Sequence, residues 1–184
     1  NLCTATTAAT ITQPASGLSL SSSQINVNCF GASTASIDLT VAGGTSPYTY
    51  SWSNSTTSQD ISSLAAGTYT VTVTDASLCT ATTSVMVTQP AAGLNLSEVH
   101  TDVNCIGGNN ASIDITASGG TPSYNYNWSD GSLLEDRTGL TAGNYIVTVS
   151  DSNGCTLSTA IAVSEPSAAL NATEALTQVK CFGN

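Results

Sequence analysis

The sequence predicts an all-β chain of tandem antiparallel β-sandwiches, each copy 76 residues long. Three observations carry this: the spacing of the cysteines, the text that recurs between them, and short alternating apolar runs set off by turn residues. Cys3, Cys79 and Cys155 are spaced by 76, and so are Cys29, Cys105 and Cys181. Between them Val27-Asn28-Cys29 returns as Val103-Asn104-Cys105, and Ala35-Ser36-Ile37-Asp38 as Ala111-Ser112-Ile113-Asp114. Tyr48-Thr49-Tyr50-Ser51-Trp52-Ser53 returns as Tyr124-Asn125-Tyr126-Asn127-Trp128-Ser129, with no gap. Self-similarity at a fixed period marks an array. This period exceeds the about 20–50 residues of solenoid units and suits a small domain with its own core.

Within one period seven short runs read as strands: Leu18 to Leu20, Ile25 to Val27, Ser36 to Val41, Tyr48 to Trp52, Gln59 to Ile61, Thr68 to Thr74 and Thr80 to Thr88. Ile37, Leu39 and Val41 face one way, with Asp38 and Thr40 opposite. Tyr69, Val71 and Val73 face in, and Thr68, Thr70, Thr72 and Thr74 face out. This is the period of two that a half-buried strand requires. Gly43-Gly44, Pro47, Gly67 and Asp75 punctuate the runs, and no segment shows a helical period. Short strands at this spacing predict a sandwich of the immunoglobulin-like kind, comparable to PKD and fibronectin domains. Pro14, Pro90 and Pro166 each end a strand, because proline cannot continue a ladder. Residues 15–90 and 91–166 are therefore expected to be complete sandwiches. Residues 1–14 read as the last strand of a preceding repeat and 167–184 as the first strand of the next. The chain reads as a window on a longer array.

Composition narrows the function. Two basic residues stand against twelve acidic ones, for a formal charge of −10. Nucleic-acid binding needs clustered Lys and Arg, so no nucleic-acid partner is expected. No run approaches the roughly 20 apolar residues that span a bilayer, so no direct membrane insertion is expected. Charged residues are only 8% of the chain and hydrophobic ones 40%. Polarity comes from Ser, Thr and Asn, as in strands with one buried and one hydroxyl-bearing face.

The cysteines read as disulfides, because the sequence has no CxxC and a single histidine for a metal site. Disulfides place the protein outside the cytosol. Two pairings fit the period. One closes each copy on itself, Cys29 with Cys79 and Cys105 with Cys155. The other crosses the junctions, Cys3 with Cys29, Cys79 with Cys105 and Cys155 with Cys181. The first strand and the Thr68–Thr74 strand are read as running the same way, which brings Cys29 and Cys79 to one end and favours the first scheme. Cys3 and Cys181 then have partners outside this window.

Val27-Asn28-Cys29-Phe30-Gly31, the Ala35 to Thr45 segment, Pro47-Tyr48-Thr49-Tyr50-Ser51-Trp52-Ser53-Asn54 and Gly143 to Thr156 together resemble the SprB-type repeat. Ala76-Ser77-Leu78-Cys79 departs from the Ser152-Asn153-Gly154-Cys155 form in one hairpin turn. The resemblance covers essentially the whole chain. It implies a very large adhesin of gliding bacteria, exported by the type IX system and displayed as surface filaments.

Trp52, Trp128, Tyr69 and Tyr145 are expected in the structural core. The Leu64 to Tyr69 and Leu140 to Tyr145 segments resemble a tyrosine corner. Asp38, Asp60 and Asp75 recur as Asp114, Asp136 and Asp151. Their recurrence leaves calcium open, with the Asp151-Ser152-Asn153-Gly154 turn as the best fragment of a site; no other cofactor is expected. No repeated nucleophile, base or paired-carboxylate set exists, and His100 occurs in one copy alone, with Gln24 at its position in the other, so the chain is not expected to be an enzyme. The leading reading is an adhesive stalk, whose partners are surface polysaccharide or substratum ligands and neighbouring repeats of one filament. The alternative is a carbohydrate-binding module with exposed, coplanar aromatics.

Overall fold

A computed structural model describes residues 3–9, 16–168, 170–172 and 174–175. Regular structure among them is entirely β. The first copy holds β1 (Ser19–Ile25), β2 (Ala35–Ala42), β3 (Thr49–Trp52), β4 (Ile61–Leu64), β5 (Gly67–Thr74) and β6 (Thr80–Val87). The second holds β7 (Asn95–Thr101), β8 (Ala111–Ser118), β9 (Asn125–Trp128), β10 (Arg137–Leu140), β11 (Gly143–Ser150) and β12 (Thr156–Val163). Each copy makes two three-stranded sheets, β1-β2-β4 and β3-β5-β6 in the first, β7-β8-β10 and β9-β11-β12 in the second. All pairings are antiparallel. Lettered as an immunoglobulin domain without its D strand, this is A-B-E against C-F-G, so the fold is an Ig-like sandwich.

The alternation read from the sequence builds the core. Ile37 and Leu39 of β2 and Val71 and Val73 of β5 are buried, with Trp52, Val85 and Val87 beside them. Ile113, Ile115, Val147, Val149 and Trp128 repeat the arrangement. Val41 and Tyr69 are half-buried against the first core. On the outer face hydroxyls pair across strands: Thr72 with Thr82 at 3.2 Å, and Thr148 with Ser158 at 2.8 Å. Such pairs let a Thr-rich face stay wet and still add to the ladder.

Two expectations change. The runs at Leu18 to Leu20 and Ile25 to Val27 are joined by one strand, β1, which stays paired with β2 through the polar Ser21-Ser22-Ser23-Gln24 and ends at Ile25, before Asn26 and Val27. As the outer strand of its sheet, β1 needs only its backbone to stay in register. β4 begins at Ile61, later than expected, because Asp60 turns its carboxylate back to the β2 backbone, Leu39 N donating to its Oδ1 at 2.9 Å. Two glycine pairs, Gly43-Gly44 and Gly119-Gly120, all have positive φ. A Cβ on Gly43 would lie 2.1 Å from Gly17 O, so glycine is required where β2 leaves its sheet.

The chain divides into two compact units. One runs to Gly93 and includes residues 119–121 and 153–155; the other takes Leu94–Ser118, Pro122–Ser152 and the chain from Thr156 onward. Residues 3–9 carry no strand, and the rest of the 1–14 segment lies outside the described residues. So does most of the strand expected in 167–184, Cys181 included.

Truncating Leu39 or Ile115, each almost fully buried, should cost about 2–5 kcal/mol. Thr40→Ala, on the exposed face of the same strand, should change stability by under about 0.5 kcal/mol. Denaturant melts compare the three; equal costs would contradict the facing of β2.

Candidate functional site

The position of each cysteine follows from how the strands leave the sandwich. At the end of β1, Val27 N donates to Thr88 O at 3.0 Å, and Thr88 N donates to Asn26 Oδ1 at 2.9 Å. The β1 and β6 strands therefore finish together. Cys29 follows β1 and lies at that end. Cys79 precedes β6 and lies eight strand residues away, about 26 Å at ~3.3 Å per residue. A disulfide needs Cα atoms within ~7 Å. The second copy repeats this, with Val103 N on Ser164 O at 3.0 Å, so Cys105 and Cys155 also lie at opposite ends.

Both expected pairs, Cys29 with Cys79 and Cys105 with Cys155, are thus excluded by strand direction. β5 is antiparallel to β6 and so runs opposite to β1, not with it. The structure instead bonds Cys29 to Cys155, with Cα atoms 5.7 Å apart and a sequence separation of 126. Residues 153–155 belong to the same compact unit as Cys29. There Asn153 Nδ2 donates to Asn28 O at 2.9 Å and to Thr121 Oγ1 at 2.9 Å. Cys3, Cys79 and Cys105 are exposed thiols.

The turn bearing Cys29 is fixed by its neighbours. Gly31, at φ +75°, donates its N–H to Gln89 Oε1 at 2.9 Å, and Ala32 N donates to Cys29 O at 3.0 Å. The turn before β6 is fixed by Asp75, which is buried yet accepts three backbone N–H groups. Thr45 N reaches Oδ2 at 2.9 Å, and Ser77 N and Cys79 N reach Oδ1 at 2.9 and 2.8 Å. Burial pushes the Asp75 carboxyl up, but these three donors and the Cys79 thiol outweigh it and hold the group below the ordinary carboxylate value. Leu78 takes φ +65° in that turn, where the second copy has Gly154 at φ +79°. Asp136 accepts Ile115 N at 3.1 Å, as Asp60 accepts Leu39 N. Asp38 and Asp114 are exposed. Recurrence of Asp60, Asp75 and Asp136 thus answers a need to satisfy backbone donors.

Both tryptophans are buried and donate Nε1 to a backbone carbonyl, Trp52 to Ser58 O at 2.9 Å and Trp128 to Leu134 O at 2.7 Å. Tyr69 and Tyr145 are half-buried. Their hydroxyls donate back four residues, to Ala65 O at 3.1 Å and Thr141 O at 3.0 Å, which is the hydrogen bond of a tyrosine corner. Tyr48 donates to Gly43 O, Tyr50 to Gln59 and Tyr126 to Glu135. Burial and the Glu135 hydrogen bond push the Tyr126 hydroxyl up.

One feature is particular to the second copy. Arg137 stands where the first copy has Ile61, and Asp130 where it has Asn54. The guanidinium forms a two-pronged bond to Asp130 at 2.8 and 2.6 Å and lies 5.3 Å from the Trp128 ring centroid. A buried isoleucine of the core in one copy is thus replaced by a cation over the tryptophan ring in the other. His100, with Glu98 at 2.9 Å and Asp102 at 3.9 Å, also occurs in one copy alone.

Peptide mapping without reductant should recover a Cys29–Cys155 cross-linked peptide. Reduction should lower stability by at most about 5 kcal/mol, the chain-entropy value for a loop this long; recovery of Cys29–Cys79 would refute the strand directions given above. For Asp75, a lowered folded-state pKa contributes stability above the ordinary carboxylate value that is lost as pH falls through the folded one. The melting-point gap between wild type and Asp75→Asn should be present at pH 7 and shrink below about pH 4. A gap independent of pH would show that the charge does not matter.

The SprB repeat family matches residues 21–57 and again residues 97–133. The two spans lie one period apart, each starting in the first strand of a copy and ending just past its tryptophan. No curated protein matches the sequence. Among solved structures the chain is similar to that of Down Syndrome Cell Adhesion Molecule (DSCAM) isoform 1.30.30, N-terminal eight Ig domains, at 13% identity and a TM-score of 0.38. The alignment covers 80% of this chain and 25% of that one, and the fold assignment rests on strand order instead. The family match thus falls once on each copy, in phase, and over those two spans the chain is similar to the SprB repeat.

Proposed function

We propose that this chain is a structural and adhesive segment of a large extracellular surface protein, and that it acts in surface attachment or in gliding motility. The observation that carries the reading is repetition: two matches to the SprB repeat, in phase, each on a sandwich with a complete core of its own. Repetition of a folded unit lengthens a protein and multiplies its weak contacts, whose avidity exceeds single-site affinity by orders of magnitude. The cystine supports an oxidising, extracellular location, and the Thr- and Ser-rich outer faces support a solvated stalk. Surface polysaccharide or substratum groups are the proposed ligands, and export by the type IX route fits the family.

A carbohydrate-binding module would present flat aromatics to solvent at one place in each copy. Trp52 and Trp128 are buried, and the hydroxyls of Tyr48, Tyr50 and Tyr126 are engaged within the fold, which favours the adhesive array over that alternative. Beads carrying many copies of the chain should adhere to polysaccharide-coated surfaces, while the free chain at micromolar concentration shows no retained glycan on an array. Tight binding of one glycan by the free chain would decide for the carbohydrate module, and failure of the beads to adhere would count against adhesion.

A further inference from the structure

The turn that carries Cys29 is one of a pair. One period on, the turn that carries Cys105 is built the same way: Gly108 N donates to Cys105 O at 2.9 Å, and Gly107 N donates to Glu165 Oε2 at 2.7 Å, where Gln89 serves Gly31. Around Cys29 the compact unit includes segments 119–121 and 153–155, with Cys155 bonded to it and Asn153 on the Asn28 carbonyl. Around Cys105 no described segment takes the corresponding place. A groove there is lined by Asn104, Ile106, Pro166 and Leu170, and the thiol is exposed. The complementary half is also present and unused. Cys79 stands where Cys155 stands in the other copy. It is held by the turn that Asp75 anchors, exposed, and preceded by Leu78, which is 82% exposed.

We propose that Cys105 and Cys79 are the two halves of the linkage that Cys29 and Cys155 already make. Cys105 takes the in-phase cysteine of a further copy of the unit, here Cys79 of a second chain. Residues 43–45 and 77–79 of that chain seat beside Cys105 as 119–121 and 153–155 seat beside Cys29. The two thiols lose two protons and two electrons as the S–S bond forms. A disulfide oxidant accepts the electrons and is reduced to two thiols. One contact is missing from the new pair: Ser77 stands where Asn153 donates to Asn28 O, so Ser77→Asn should restore the hydrogen bond from a side-chain amide to Asn104 O.

The test uses the chain with Cys3→Ser and Cys181→Ser, incubated in oxidised and reduced glutathione. Non-reducing gels should show a ladder that reductant collapses. Peptide maps should show Cys79 joined to Cys105 with Cys29–Cys155 retained. Adding Cys79→Ser or Cys105→Ser alone should leave monomer, and mixing the two variants should give dimer and nothing larger. Ser77→Asn should raise the cross-linked yield several-fold. Monomer throughout would overturn the proposal. So would Cys79–Cys79 or Cys105–Cys105 links as abundant as the mixed one, or a yield indifferent to Ser77→Asn.

Discussion

The parallel exit of β1 and β6 decides most of what is particular to this protein. A single pair of backbone groups, Val27 N and Thr88 O, ties the end of the first strand to the end of the last. Once that tie is made, the cysteine after β1 and the cysteine before β6 must occupy opposite ends of the same sandwich. No side-chain adjustment can close a gap of several strand residues, so a copy of the repeat cannot close a disulfide on itself. The bond that forms, Cys29 to Cys155, joins cysteines of different copies, and Cys79 and Cys105 stay free thiols.

Much of the architecture could be read from residue order because burial in a sheet has a period of two. Ile37, Leu39, Val71 and Val73 announce their facing without help, and the turn glycines mark where strands stop. β1 was harder to read, because its middle is Ser21-Ser22-Ser23-Gln24 and an outer strand is held by backbone pairing that leaves no apolar trace. The sulfur pairing was legible only in part. A sequence of strict period fixes which kind of cysteine meets which, but leaves the partner undetermined by whole multiples of the period. Cys79 and Cys155 are equivalent partners for Cys29 on that count, and only strand direction separates them. Nothing in the sequence reports that direction, since it depends on which sheet each strand joins.

The recurrent aspartates illustrate a second ambiguity. A carboxylate that returns at the same phase suits a cation site, and it equally suits a turn with several unsatisfied backbone N–H groups. Asp75 is of the latter kind, collecting donors from Thr45, Ser77 and Cys79, and it thereby fixes the loop from which Cys79 projects. The exchange of Ile61 and Asn54 for Arg137 and Asp130 shows the opposite behaviour. Here one core position takes different chemistry in the two copies, and the pairwise nature of the exchange is visible only once the guanidinium is seen against the Trp128 ring and Asp130.

The long span of the cystine has a mechanical meaning. A polypeptide pulled from both ends carries tension along its shortest covalent path. With Cys29 joined to Cys155 across a separation of 126 residues, that path leaves the main chain at one sulfur and rejoins it at the other. Strands β2 to β11 hang outside the path as an unloaded loop, and only β1 and β12 feel the pull directly. Stretching this molecule therefore cannot pay out the hidden length of the enclosed strands unless the sulfur bond is first reduced.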